Sequence, residues 1–193
     1  MKSSWLRFGL PILLGAVIYF VAGYFVDIPP YGISLSESET RISLEGDLAG
    51  VDTYLTYVCH SWRPRRTSIY LPFSRNHGEG EAQDLKCEIP GPSTFRQYPD
   101  GVVLNLVMKP GTSTKVGFHF SQPLTRKKFS YIFSVGRGWT LPQNLVAHMI
   151  DVPEDRVCRF SIAPAKEERV VTESKKRYTI PGTYGKELLI SWD

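Results

Sequence analysis

Two hydrophobic patterns divide the chain. From Phe8 to Val26 the run FGLPILLGAVIYFVAGYFV carries no charge and shows no polar face, as expected of a helix whose whole surrounding is apolar. From Arg41 onward, apolar and polar residues alternate with the two-residue repeat of half-buried strands. The first pattern predicts a transmembrane helix, which at 1.5 Å per residue would be about 28 Å long against a hydrocarbon thickness of roughly 30 Å. Lys2 and Arg7 precede the run, and the first charges after it are Asp27, Glu37 and Glu39. The positive-inside rule therefore places Met1 in the cytoplasm and the rest of the chain outside. Trp5 and Tyr24 suit the two interfaces, where an aromatic ring keeps one edge wet. A signal peptide cut after Gly23 is the competing reading, but Tyr24, Phe25 and Val26 continue the apolar run past that point, longer than the usual h-region. A retained signal anchor over residues 1–26 is the expectation. Pro29, Pro30 and Gly32 among serines and acids then read as a short stiff spacer over residues 27–40.

Over residues 41–193 the pattern predicts strands and no amphipathic helix. Arg41–Glu45 and Val51–His60 alternate first, and Ser68–Phe73 follows a polar connection, SWRPRR. Pro72 marks that strand as an edge or a strand end. Leu85–Ile89 and Phe95–Tyr98 are short, and Pro99-Asp100-Gly101 is a strong turn signal before Val102–Met108, whose apolar run suits a central strand. Lys115–Gln122 places Val116, Phe118 and Phe120 on one face and His119 on the wet one. Phe129–Val135, Leu145–Val152, Arg156–Ile162 and Glu187–Trp192 continue the series, with Arg169–Tyr178 as a polar edge hairpin. Breakers every ~8–12 residues are the rhythm of sandwiches and barrels. The predicted class is mainly β: an N-terminal transmembrane helix followed by an antiparallel β-sandwich, immunoglobulin-like or of a related Greek-key type.

Composition adds the size and the compartment. About 165 residues follow the anchor, enough for one domain with a proper core. Taking Lys2 and Arg7 off the 23 basic residues leaves 21 against 19 acidic ones, a net charge of +2 outside the membrane. That balance argues against nucleic acid as a partner, and no nucleic-acid motif surrounds the basic clusters. These are Arg63, Arg65 and Arg66; Arg126, Lys127 and Lys128; and Lys175, Lys176 and Arg177. Solvated turns are their ordinary explanation, while contact with anionic headgroups is open to any domain tethered this close to a bilayer. Cys59, Cys87 and Cys158 each sit in phase with apolar neighbours, as small buried hydrophobes do. Their odd number leaves at least one outside any intramolecular disulfide, and one disulfide with three possible pairings stays open.

Candidate chemistry is sparse. In the loop Ser74–Gln83, His77, Glu79 and Glu81 recur at spacing two, but a metal site needs further convergent ligands, and the glycines favour a flexible hydrophilic loop. Cys59 and His60 are adjacent on a strand and so point to opposite faces, which keeps a thiol–imidazole pair apart. No nucleophile elbow, phosphate loop, dinucleotide fingerprint or paired-cysteine motif occurs. No catalytic residue, cofactor, metal or small-molecule substrate is assigned. Arg137 and Trp139 in the glycine-flanked GRGW interruption read as a packed corner or a recognition patch. With Arg63, Arg65, Arg66, Lys175, Lys176 and Arg177 they make up the candidate interaction surface.

The stretch YIFSVGRGW-x-x-P (Tyr131–Pro142), the strand ending IDVP, the closing LLISW and the run Leu71-Pro72-Phe73 resemble exported, membrane-anchored bacterial β-sandwich proteins of unknown function. Tyr98–Val116, with its PDG and KPG turns, is similar to the β-sandwich modules that accompany transglutaminase-like enzymes. The resemblance covers most of residues 40–193 and implies a fold, with no catalytic residue to carry over. The expected function is a protein-binding or structural module in the cell envelope, held by residues 8–26 and acting through sheet edges or loops on a protein partner. A lipid-interface or envelope-assembly factor is the alternative.

Overall fold

The computed structural model describes residues 32–74, 77, 79–132, 146–170, 173–181 and 187–193. The apolar run 8–26 and the Arg137–Trp139 corner lie outside these residues. Among the described residues no helix is long and apolar enough to cross a membrane. Thirteen strands are described: β1 (Ile33–Glu45), β2 (Leu48–Cys59), β3 (Arg65–Pro72), β4 (Gln83–Glu88), β5 (Thr94–Tyr98), β6 (Gly101–Met108), β7 (Ser113–Pro123), β8 (Lys128–Ile132), β9 (Val146–Pro153), β10 (Cys158–Phe160), β11 (Lys166–Val170), β12 (Lys175–Pro181) and β13 (Glu187–Trp192). They form a seven-stranded sheet in the order β11-β12-β9-β1-β2-β7-β4 and two three-stranded sheets, β10-β13-β8 and β3-β6-β5. The mainly β class predicted from alternation is what the chain adopts.

One face of the large sheet is apolar because its inward positions fall on Ile42 and Leu44, Val51 and Leu55, Val116 and Phe118, and Ile150 and Val152, all buried. Residues from the other two sheets, among them Ile69, Leu104, Phe129 and Leu188, belong to the same core cluster. The opposite face of the large sheet carries Glu39, Arg41, Asp52, Lys86 and His119, so water covers it. His119 is thus on the wet side, its Nδ1 2.6 Å from Asp52 Oδ1. At the β1–β2 hairpin, Glu45 pairs with Leu48, and Gly46 takes the left-handed conformation (φ 54) that a two-residue loop favours. Val102–Met108 is the middle strand of its sheet, and β3 ends on Pro72 at that sheet's edge.

Two expectations need correction. Residues 33–40 are strand and not spacer, because β1 begins at Ile33. The alternation there is disguised: the inward residues Ser38 and Thr40 are polar yet 5% and 2% exposed, and an irregularity between Leu35 and Glu37 shifts the phase so that Leu35 also enters the core. The large sheet is also mixed: β1 runs parallel to β9, with Ser38 opposite Val146 and Ser43 opposite Asp151. Alternation fixes which side chains face the core and leaves strand direction open. The polar edge hairpin is present as β11 and β12, with β11 on the outside.

Because β1 rises about 3.3 Å per residue, the large sheet is roughly 40 Å long from Ile33 to Glu45. Its proximal end, where the described chain begins, gathers Gly32, the β2–β3 connection and the β6–β7 turn. Its distal end gathers the β1–β2 hairpin, the β7–β8 connection and the start of β12.

Candidate functional site

The proximal end is built on Ser61. The Gly32 carbonyl accepts hydrogen bonds from His60 N (2.8 Å) and Ser61 N (3.3 Å), which ties the first described residue to the β2–β3 connection. The Ser61 hydroxyl, nearly buried, then accepts from Arg63 N at 3.2 Å and from Arg65 Nε at 3.0 Å. That turn turns Trp62 outward: its ring is 67% exposed, and the Arg63 guanidinium lies 3.9 Å from the ring centre. Arg66 is exposed one step into β3, and Lys109 is exposed in the β6–β7 turn. That turn is fastened to the same end, since Gly111 N donates to Cys59 O and Cys59 N to Thr112 O, both at 2.9 Å. The structure therefore joins Arg63, Arg65 and Arg66 with Trp62 and Lys109, two residues outside the predicted surface. A tryptophan inside a basic connection was the available signal for the first.

Lys175, Lys176 and Arg177 lie at the distal end, so the predicted surface is two sites. There Lys175 and Arg177 are matched by carboxylates. Lys175 Nζ is 2.8 Å from Glu45 Oε1, and Arg177 and Arg41 both grip Asp151, with Nε–Oδ distances of 2.7 Å. Asp151 is 1% exposed at its side chain. Burial pushes its carboxyl up, but the hydrogen bonds and charges of Arg177 and Arg41 outweigh this and hold it below the ordinary range. Arg177 is thus the partner of a buried carboxylate. Lys176 lies on the other face of β12, toward Cys158, whose thiol burial raises while Arg156 and Lys176 pull it back in part. Arg126, Lys127 and Lys128 meet Arg159 around Trp192 and Asp193 in an open groove of about 260 Å³.

Inside the molecule is a polar cluster that the sequence reading did not find. A cavity of about 30 Å³ is lined by Thr40, Thr53, Tyr131 and His148 together with apolar side chains of β3, β6 and β7. The Thr53 and Tyr131 hydroxyl oxygens are 2.8 Å apart, and those of Thr53 and Thr40 3.3 Å. His148, 1% exposed and opposite Thr40, has its pKa pushed down to about 4 by burial, so its imidazole is neutral at physiological pH. Glu79, expected in a flexible loop, is 8% exposed. Its carboxylate accepts from Ser130 N (2.7 Å), Ser130 Oγ (3.1 Å) and His77 N (2.8 Å). Burial raises this carboxyl, and those donors more than compensate, leaving it lowered. Gln122 Nε2 donates to the Ser74 and Gly80 carbonyls at 2.9 and 3.1 Å, pinning the same loop.

Among the described residues, no three His, Cys, Asp or Glu side chains are placed to hold a metal ion. Cys59 is buried and His60 exposed, on opposite faces as expected, and His60 Nε2 lies 2.7 Å from Ser34 Oγ. All three cysteines are free thiols in this structure, so none of the three intramolecular pairings is formed.

No protein-family model and no curated protein matches the chain. Among solved structures, an M1 zinc metallopeptidase from Deinococcus radiodurans superposes with a TM-score of 0.46 at 11% identity, over 86% of this chain and 44% of that one. A variant of that peptidase gives 0.48 at 12% identity, over 83% and 42%. The chain thus spans less than half the length of these peptidases. A candidate nutrient binding protein from Legionella pneumophila superposes with a TM-score of 0.56 at 9% identity, over 83% of this chain and 67% of that one. Only this last likeness carries weight, and at such identity it concerns the fold alone.

Proposed function

We propose that the chain is a single-pass membrane protein whose residues 8–26 span the bilayer with Met1 in the cytoplasm. Its strands form an extracytoplasmic β-sandwich, immunoglobulin-like or of a related Greek-key type, that serves as a protein-binding or structural module of the cell envelope. The resemblance of Tyr131–Pro142 to membrane-anchored exported proteins points the same way. The observation that carries the binding role is the edge strand β5. Among the described residues it pairs with β6 alone, all five of its residues are exposed, and Phe95 and Tyr98 show 45% and 37% of their surface to solvent. An edge of this kind offers unpaired backbone groups and aromatic side chains to an incoming strand. The opposite choice is visible at β11, where Lys166, Glu167, Glu168 and Arg169 blunt the edge with charge. A photo-cross-linker at Gln97 in cells should yield a discrete adduct that is lost when Phe95→Lys and Tyr98→Lys are introduced. An unchanged adduct pattern, or none along β5 in a chain that stays in the membrane fraction, refutes the binding role. A topology reporter fused at Asp193 and an N-terminal mass measurement test the anchor.

A further inference from the structure

We infer that the proximal end is a lipid-docking surface: Trp62 seats in the headgroup boundary of the extracytoplasmic leaflet, while Arg66 and Lys109 face anionic headgroups. The inference rests on the proposed anchor and names what that anchor brings the domain against. The chain outside the described residues sets the geometry. Six residue steps separate Val26, the last apolar residue of the run, from Gly32, a span of at most about 20 Å when extended. Gly32 is hydrogen-bonded to Ser61, the neighbour of Trp62. The tether therefore holds Trp62 within the thickness of the headgroup region and its adjoining water, whatever the tilt of the domain.

Chemistry at this end agrees with that placement. An indole 67% exposed, its face covered by a guanidinium at 3.9 Å, has an apolar body and a cationic rim, as interfacial tryptophans do. Neither connection at this end, Ser61–Arg66 or Lys109–Lys115, contains an acidic residue. Arg66 and Lys109, one in each of these connections, are both exposed there. Two exposed cations beside an exposed indole, at the end that the tether turns toward the bilayer, are complementary to an anionic lipid surface, which is the occupant that fits.

The test uses the full chain in nanodiscs of phosphatidylcholine with phosphatidylglycerol, or of phosphatidylcholine alone, carrying brominated acyl chains that quench indole emission on contact. Trp5, Trp139 and Trp192 are common to the parent and to W62F, so the difference between these two chains reports Trp62. Expected is an extra loss of emission in the parent, larger with phosphatidylglycerol. Each of R66Q and K109Q should lower the ratio of docked to undocked domain about fivefold. Equal fractional quenching in parent and W62F overturns the inference, as does a Trp62 signal indifferent to lipid charge and to both substitutions. Release of the chain from membranes by alkaline carbonate would overturn the anchor as well, whereas an anchored chain with equal quenching overturns docking alone.

Discussion

His148 gives the domain an acid-sensitive core. Its ring sits in the interior between β1 and the cavity, 1% exposed, and burial moves its pKa from 6.5 to about 4. A base whose folded pKa is depressed adds stability that is complete above the unfolded value and drains away as pH falls toward the folded one. The window is therefore pH 6.5 down to about 4. At about pH 5 nearly all unfolded chains carry the proton and few folded ones do, a difference worth roughly 2 kcal/mol, approaching roughly 3 kcal/mol below pH 4. The assay is urea unfolding of the full chain in mild detergent at about pH 7.5 and about pH 5, for the parent and for His148→Gln. The substitution lowers stability at both values, but the parent should lose roughly 2 kcal/mol more than the variant between them. The other histidines cancel in that difference: His60 beside Ser34, His77 near Glu187 and His119 beside Asp52 are present in both chains. Equal losses in the two chains, or a His148 imidazole resonance titrating near 6.5 in the folded protein, would refute the reasoning.

Other perturbations follow from the same geometry. Asp151→Ala strips Arg41 and Arg177 of their shared carboxylate and should cost about 3 kcal/mol in urea unfolding, the low end for a buried ion pair because both guanidinium groups reach water. With its carboxyl held down, Asp151 contributes stability that is present above the ordinary 3.8 and lost as pH falls below it, so parent and Asp151→Ala should converge in strong acid. Glu79→Ala leaves the amides of Ser130 and His77 without their acceptor, which should cost about 2 kcal/mol and make Ser74–Gln83 the first site of limited proteolysis. A Cβ at Gly101 would lie 2.4 Å from Leu71 O and 2.7 Å from the Tyr70 ring, so Gly101→Ala should lower the unfolding free energy by about 1–3 kcal/mol. Alkylation in denaturant without reductant should add three labels, while in the folded chain Cys59 should react last because it alone of the three is fully buried.

What the sequence revealed follows from where polarity and burial agree. Lys115–Phe120, and Val51–Cys59 apart from the inward Thr53, keep polar side chains off the core face, so their faces, and His119 on the wet one, were readable. At Ser38 and Thr40 the inward residues are polar because they line the cavity shared with Thr53, Tyr131 and His148, and the start of β1 therefore looked like a linker. Asp151 is the lone acid of the apolar strand Leu145–Val152, but its partners Arg41 and Arg177 lie on other strands, and local pattern holds no record of that pairing. Glu79 stood out only as one of three spaced ligand candidates, and its burial gave no signal, since two glycines beside a carboxylate look the same whether the loop is loose or pinned by Ser130. The basic triplets were legible as triplets. Which end of the large sheet each lies at depends on strand order, which periodicity does not encode.

The parallel pairing of β1 and β9 has a temporal side. Arg41 and its partner Asp151 are 110 residues apart, so β1 leaves the ribosome long before the strand that closes its second edge. At roughly 5–20 residues per second that interval is roughly 5 to 20 s, during which β2 can zip onto one side of β1 while the other stays open. A nascent domain with a bare central strand is a target for wrong partners, including another copy of itself. The serine-rich opening of β1, poor in bulky apolar side chains, makes that waiting edge less adhesive until β9 arrives.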